Sequence, residues 1–314
     1  MKRLAPALVL PALMLLALPT MSFPTWITLT VAGMAMGMML FLMASGLTLV
    51  FGLMDVLNFA HGGFITLGAF LAVSVLAVAP GGWVTAMGLA VVVAAVVGGA
   101  CGWAFERVII RRVYGSHLQQ ILITVGGMIV AGQLIVVIWG AQPLAVAKPA
   151  ALRGSFVVGG AAIETYRMVA VGLGILVFAA LQLVLTRTRV GLLVRAGVEN
   201  REMVESLGFR INRLNTAVFV AGAALAGIGG VMWAVYQELV TAEIGSDMTI
   251  LVFIVVIIGG LGSVPGCFLG AMLVGLSNNY VGFLAPSLAL GSNIALMVLL
   301  LLWRPRGLLP LARS

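Results

Sequence analysis

Ten apolar runs separated by short polar intervals leave this chain no room for a water-soluble core. They lie at about 4–22, 27–53, 60–79, 84–104, 119–140, 168–186, 214–236, 249–262, 265–285 and 288–303. Most approach the ~20 residues that a helix needs to cross bilayer hydrocarbon. With 62% hydrophobic and 8% charged residues over 314 positions, the expected fold class is all-α: a polytopic transmembrane helical bundle. About 8–10 membrane segments are expected, re-entrant or broken helices among them. The longest polar interval is 187–213, so residues 1–314 read as a single transmembrane domain with one cytoplasmic loop of note. Forty glycines exceed the usual share of about 7% and favour close helix approach, since lipid gives apolar helices little drive to associate.

Charge placement sets the orientation. The 187–213 loop, RTRVGLLVRAGVENREMVESLGFRINR, holds six of the seventeen basic residues and three of the nine acidic ones. The positive-inside tendency assigns it to the cytoplasm. A cytoplasmic N-terminus then places Lys2, Arg3, Arg107, Arg111, Arg112 and the basic tail on the same side as that loop. Only Lys148, Arg153 and Arg167 fall outside, together with Glu238, Glu243 and Asp247. Lys2 and Arg3 ahead of an apolar run also read as a secretory signal, without an A-x-A-like site near Pro19 to Phe23; its removal would leave the remaining topology unchanged. The net charge of +8 serves orientation and implies no nucleic-acid partner. Cys101 and Cys267 lie in separate apolar runs, which suits packing rather than a disulfide or metal site.

Missing motifs exclude several chemistries. The only lysines are Lys2 and Lys148, and neither completes a phosphate-binding G-x-x-x-x-G-K-[ST] loop. The only histidines, His61 and His117, make no H-E-x-x-H zinc site. A Ser-His-Asp relay would have to draw on His61 and Asp55 without a serine in a nucleophile elbow. The chain is therefore expected to be no enzyme, with no catalytic residue, no metal and no cofactor of its own.

Two polar constellations remain. Asp55, Asn58 and His61 in GLTLVFGLMDVLNFAHGGFITLGAF recur every three residues, a spacing that shares one helix face. Ionisable groups at membrane depth mark pathways by default, so these three are candidate translocation-pathway residues. A solvated turn explains them equally. Gly52, Gly62 and Gly63 around them permit the broken helix at which transporter sites form. In GGLGSVPGCFLGAMLVGLSNN, Gly262, Gly266 and Gly270 recur every four residues and are expected to line one helix face for packing. Pro265 falls in that helix's first turn, and Asn278, near its far end, is a further pathway candidate. Glycine-broken helix starts in both halves suggest a structural repeat.

Within the loop, Val198 to Leu207 reads as a helix of two or three turns. Glu199, Arg201, Glu202 and Glu205 form its polar side, Met203, Val204 and Leu207 its apolar side, and Gly208 its stop. Such a helix suits docking in a partner's groove. A solvated connector fits the same residues.

Taken in order, the Asp55 segment, LLVRAGVENREMVESLGFRINRLNTAVFVAGAALAGIGGVM and IIGGLGSVPGCFLGAMLVGL resemble the branched-chain amino acid ABC transporter permeases of the LivH type, over about residues 28–308. The resemblance implies an importer permease subunit in the bacterial inner membrane, multi-pass, with both termini cytoplasmic. It makes the loop an EAA-type coupling segment, with Glu199, Arg201, Glu202, Glu205 and Gly208 facing a cytoplasmic ATPase. Val204 and Glu205 depart from the small alanines favoured in such loops. Also implied are a second homologous permease, two ATPase subunits that bind the ATP, and a periplasmic solute-binding protein. The competing reading is a stand-alone ion-coupled secondary transporter or channel for a small polar solute, although beyond Asp55 and His61 the chain offers no ion relay deep in an apolar segment.

Overall fold

Each of the ten apolar runs becomes a helix in the computed structural model, which describes residues 5–79 and 82–310, without the side chains of residues 5–7, Glu199 and Arg201. Lys2, Arg3 and Arg313 of the charge count lie outside the described residues. The helices are α1 (Ala5–Ala17), α2 (Phe23–Met54), α3 (His61–Val78), α4 (Trp83–Val108), α5 (His117–Trp139) and α6 (Thr165–Arg187). A polar interval then holds α7 (Arg189–Glu199) and α8 (Arg201–Ser206), before α9 (Ile211–Gln237), α10 (Ile244–Gly259), α11 (Val264–Leu284) and α12 (Ala289–Trp303). Among the described residues, eight helices are long and apolar enough to cross a membrane, while α10 and the first helix fall short. Two small strand pairs sit at one end of the bundle, called here the hairpin face. There β1 (Leu144–Ala145) pairs antiparallel with β4 (Leu239–Val240), and β2 (Ser155–Val158) with β3 (Ala161–Glu164). The opposite end carries α7 and α8.

The bundle is built around α2. Every residue from Ala35 to Val50 is buried, as an all-round apolar helix requires. Phe41 packs edge-on against Phe178 of α6 and Phe268 of α11. With 32 residues, α2 is roughly 48 Å long at 1.5 Å per residue, more than the hydrocarbon alone demands.

At its end the chain doubles back. Asp55 takes a left-handed conformation, φ 53°, which its short polar side chain tolerates better than most. Residues 55–60 are not helical, and α3 starts at His61. There His61 Nε2 donates to the Met43 carbonyl at 2.8 Å. Met43 precedes Asp55 by twelve residues, so α3 begins roughly 18 Å inside the end of α2. Gln120 and Thr124 of α5 hold the returning segment, accepting from the Leu57 N–H at 3.4 Å and donating to its carbonyl at 3.3 Å.

The second half repeats this design. α9 also ends on a left-handed residue, Glu238, φ 58°, and α10 starts six residues later, the interval that separates Asp55 from His61. Gly62 and Gly245, each the second residue of its half-helix, then meet backbone to backbone: a methyl group on either would overlap the other's carbonyl oxygen. Thr66 and Thr249, each four residues on, donate back to the Gly62 and Gly245 carbonyls at 3.2 and 2.6 Å. The structural repeat is thus present in space, two half-helices starting head to head within the bundle.

Four local expectations are corrected. Asp55, Asn58 and His61 share no helix face; they occupy the left-handed cap, the return segment and the first position of α3. Of the three glycines expected on one helix, Gly266 and Gly270 do pack on Gly259 and Val255 of α10. Gly262, φ 79°, instead forms the turn before α11, where its Cα lies against Gly52. The helix expected over Val198 to Leu207 is split. Asn200 leaves helical geometry at φ −152° to end α7, and its Oδ1 accepts from the Met203 N–H at 2.9 Å to cap α8, the role Asn prefers over a helix interior. Gly208, φ 84°, follows α8 as a stop. Finally, Cys267 is a buried packing residue but Cys101 is exposed.

Candidate functional site

The returning segment places a pathway candidate deep in the protein. Asn58 is 1% exposed and its Oδ1 finds no hydrogen-bond partner among the described residues, a cost that apolar surroundings make large. His61, 2% exposed, is spent on the Met43 carbonyl and so fixes where α3 starts. Asp55 stays half-exposed at the α7–α8 end, 3.8 Å from His117. That is an ion pair only when His117 is protonated, and such surface pairs contribute little. The structure therefore keeps Asn58 and His61 together at the break and separates Asp55 from them.

Asn278 lies elsewhere, towards the hairpin face, in a row of amides. Asn293 Nδ2 of α12 donates to Asn278 Oδ1 at 3.2 Å, while Asn278 and Asn279 direct their Nδ2 groups at the Met36 sulfur, 3.4 and 3.5 Å away. Asn279 Nδ2 also donates to the Gly275 carbonyl at 2.9 Å. These three asparagines occupy helix faces that lipid would penalise.

Sequence reasoning missed a charged lock on the hairpin face. Lys148, 4% exposed, bonds Glu164 at 2.5 Å and Glu238 at 2.7 Å, and its ammonium lies 5.4 Å from the centre of the buried Tyr166 ring. Arg167 adds a 3.3 Å pair to Glu164. The lock ties the 141–167 connection to the left-handed end of α9, where the Val146 N–H also donates to the Glu238 carbonyl at 2.9 Å. The signal was present as rarity, since Lys148 is one of only two lysines, but its partners are distant in sequence.

Burial pulls the Lys148 ammonium down, yet hydrogen bonds and charge from Glu164 and Glu238 outweigh it and hold its pKa above the ordinary lysine value. The hydrogen bond from Lys148 in turn lowers Glu238. A raised cation stabilises fully below its unfolded pKa and loses that contribution as pH rises through the folded value; a lowered carboxylate stabilises above its unfolded pKa and loses it as pH falls through the folded one. The lock should therefore contribute fully between the unperturbed values of 4.5 and 10.5. Lys148→Met is expected to cost about 1–3 kcal/mol, less than for fully buried pairs because both carboxylates are partly solvated. Melting curves of the purified protein from mildly acidic to alkaline pH check this, and equal midpoints for wild type and variant near neutrality would exclude the lock.

At the other end, α7 and α8 form a small platform. Val194 and Val204 are buried and anchor it, while Leu192, Met203, Leu207 and Phe209 are exposed beside the exposed Glu202 and Glu205. The backbones of Glu199 and Arg201 end α7 and start α8; their side chains lie outside the described residues. Apolar surface rimmed by charge marks an interaction face. Gly197 of α7 sits under Leu53 near the end of α2, so the platform touches the helix that leads into the break. Beside it the buried Glu106 accepts from Arg111 at 2.9 Å, Tyr114 at 2.8 Å and Thr216 at 3.0 Å, clasping the ends of α4 and α9.

Residues 29–303 match the family described as the branched-chain amino acid transport system permease component. The chain belongs to this family. Among its relatives, the high-affinity branched-chain amino acid transport system permease protein BraD of Pseudomonas aeruginosa is 32% identical over 89% of this chain and 94% of its own length. LivH of Escherichia coli K12, a permease protein of the same description, is 30% identical over 88% of this chain and 93% of its own. A shorter match joins 37% of the chain to 27% of LivM of Escherichia coli K12, also a permease protein, at 33% identity. No solved structure matches. The permease is thus a multi-pass membrane protein whose homologues are transport permeases, and the resemblance read from its three ordered motifs names this family.

Proposed function

We propose that this permease is the membrane subunit of an ABC importer for branched-chain or related amino acids and carries out no chemistry of its own. Separate cytoplasmic ATPases would hydrolyse ATP, a second homologous permease would complete the path, and a periplasmic binding protein would deliver solute. In the bacterial inner membrane both termini and the α7–α8 platform would be cytoplasmic and the hairpin face periplasmic, which agrees with the basic residues clustered at the platform end. The observation that carries the reading is the platform itself: anchored by buried valines, exposed in both apolar and acidic residues, and seated against the end of α2.

The mechanism follows from that seat. ATP binding would draw two ATPases together, and a platform gripped by one of them would press on α2 and the return segment. The paired half-helices offer a bistable element, since their head-to-head contact can open towards either face only if the two halves move apart. Energy enters as the differential affinity of nucleotide for the two arrangements. Asn58, whose Oδ1 has no partner among the described residues, is the pathway group this scheme puts on the solute's route, with His61 positioning α3.

The deciding experiment is affinity purification of the tagged permease from native membranes in mild detergent, followed by mass spectrometry and uptake into proteoliposomes. Two Walker-motif ATPases, a second polytopic permease and ATP-dependent leucine uptake are expected. A chain that purifies alone and transports on an ion gradient would overturn the proposal in favour of a secondary transporter.

A further inference from the structure

The structure assigns a second solute station to the permease, a cavity of about 410 Å³ at the hairpin face between α2, α9 and α11; we propose that it binds a neutral amino acid zwitterion with an apolar side chain. The inference rests on the importer reading for its orientation, with the hairpin face outward. Its chemistry comes from the lining. Met36 of α2, Trp233 of α9 and Phe283 of α11 supply apolar wall, and Gln237, Asn278 and Asn279 supply amides. No lining residue carries a full charge, so a solute with net charge would lose its hydration without a counter-charge to replace it. A zwitterion or neutral solute escapes that penalty, because each amide offers both donors and an acceptor.

The Asn278 donors are only weakly spoken for. A thioether is a poor acceptor, yet among the described residues Met36 Sδ is the one hydrogen-bond partner that the Asn278 Nδ2 donors find. Behind them Asn293 is fully buried, with its Oδ1 unpartnered among the described residues. Four amides at one end of a lipid-bathed bundle, counting Gln237, are costly unless water or solute meets them. The volume lies within the 300–1,000 Å³ range of small-molecule sites, and methionine adapts to side chains of different shape. Gln237 closes α9 and Phe283 lies one residue from the end of α11, so two negative helix-dipole ends favour the solute's ammonium, while the Asn278 and Asn279 Nδ2 donors suit its carboxylate.

The station also stands on the route. Met36 precedes Met43 by seven residues on α2, so the cavity lies roughly 10 Å towards the hairpin face from the carbonyl that holds His61. A solute released from outside would meet these amides before reaching the break.

The test is site-directed labelling in native membranes, with the whole complex present. Asn279→Cys and, separately, Phe283→Cys at the exposed mouth are made in a Cys101→Ala background; Cys267 is fully buried and stays unreactive. A membrane-impermeant thiol reagent is applied from the hairpin side. Both cysteines are expected to label, and millimolar leucine to slow labelling at least fivefold while aspartate and lysine do not. Labelling that leucine leaves unchanged, or that all three amino acids slow alike, overturns the station. So does failure of both positions to label, because the cavity would then be sealed. This readout needs neither ATP nor transport, so its failure is distinct from failure of the importer reading, which the co-purified ATPases decide. In the intact complex, Asn278→Leu with Asn279→Leu is further expected to raise the KM for leucine uptake at least tenfold.

Discussion

Gly62→Val, and Gly245→Val by the same argument, should leave at least tenfold less folded permease in the membrane than the wild type. The first added carbon of the side chain already overlaps the opposing carbonyl oxygen and a threonine hydroxyl, Thr249 for Gly62 and Thr66 for Gly245. Backbone of one half-helix presses on backbone of the other, so no side chain can rotate away. Overpacking of an ordinary core costs about 1–3 kcal/mol, and a crossing that must separate belongs at or above the top of that range. A tenfold loss corresponds to only about 1.4 kcal/mol. Gly88→Val is the matched control, since an added carbon there meets nothing within 4 Å. Detergent-solubilised samples on fluorescence-detected size exclusion give the comparison. The two substitutions act on one contact, so the double variant should be less damaged than the sum of its parts. Normal yield for Gly62→Val would mean that the half-helices do not meet.

The second large effect is functional. Glu202→Lys combined with Glu205→Lys should reduce transport-coupled ATP hydrolysis and uptake at least tenfold while membrane insertion and yield stay normal. Both side chains are exposed on the platform beside Met203 and Leu207, and α8 is held from beneath by Val204 and at its start by the Asn200 cap, none of which the substitutions touch. Reversing two charges across an interface replaces attraction with repulsion, and single charge truncations at desolvated interfaces already cost about 2–5 kcal/mol. Val204→Asp offers the contrast, a buried charge that should lower yield as well as activity. Full ATP-driven uptake by the double charge reversal would remove the platform from the coupling route.

What could be read from the sequence divides along a physical line. Helix existence was legible because hydrocarbon forces long apolar runs into helices, and all ten runs do so. The break at Asp55 was hinted at by Gly62 and Gly63, but its geometry was not, because α5 side chains, Gln120 and Thr124, hold the returning segment at Leu57 from sixty residues away. Periodicity misled for Asp55, Asn58 and His61, and for Gly262, since a three- or four-residue spacing has meaning only while the chain stays helical. The lock of Lys148 with Glu164 and Glu238 was invisible for the opposite reason: it joins three segments that only the finished bundle brings together. Asn278 was singled out for being polar in an apolar run, and that was enough to find the cavity wall but not its aromatic and thioether partners.

The meeting of Gly62 with Gly245 sets a clock on biosynthesis. A ribosome adding about 5–20 residues per second reaches position 245 roughly ten to forty seconds after position 62. Throughout that interval α3, whose start lies roughly 18 Å inside the end of α2 in the finished bundle, has no opposing half-helix to pack on. The first half of the chain is therefore a nascent intermediate that waits for its own counterpart, and a stall in translation between the two glycines would expose it to membrane quality control. Synonymous codon changes in that stretch, which alter no residue of the protein, are where its folding yield is open to adjustment.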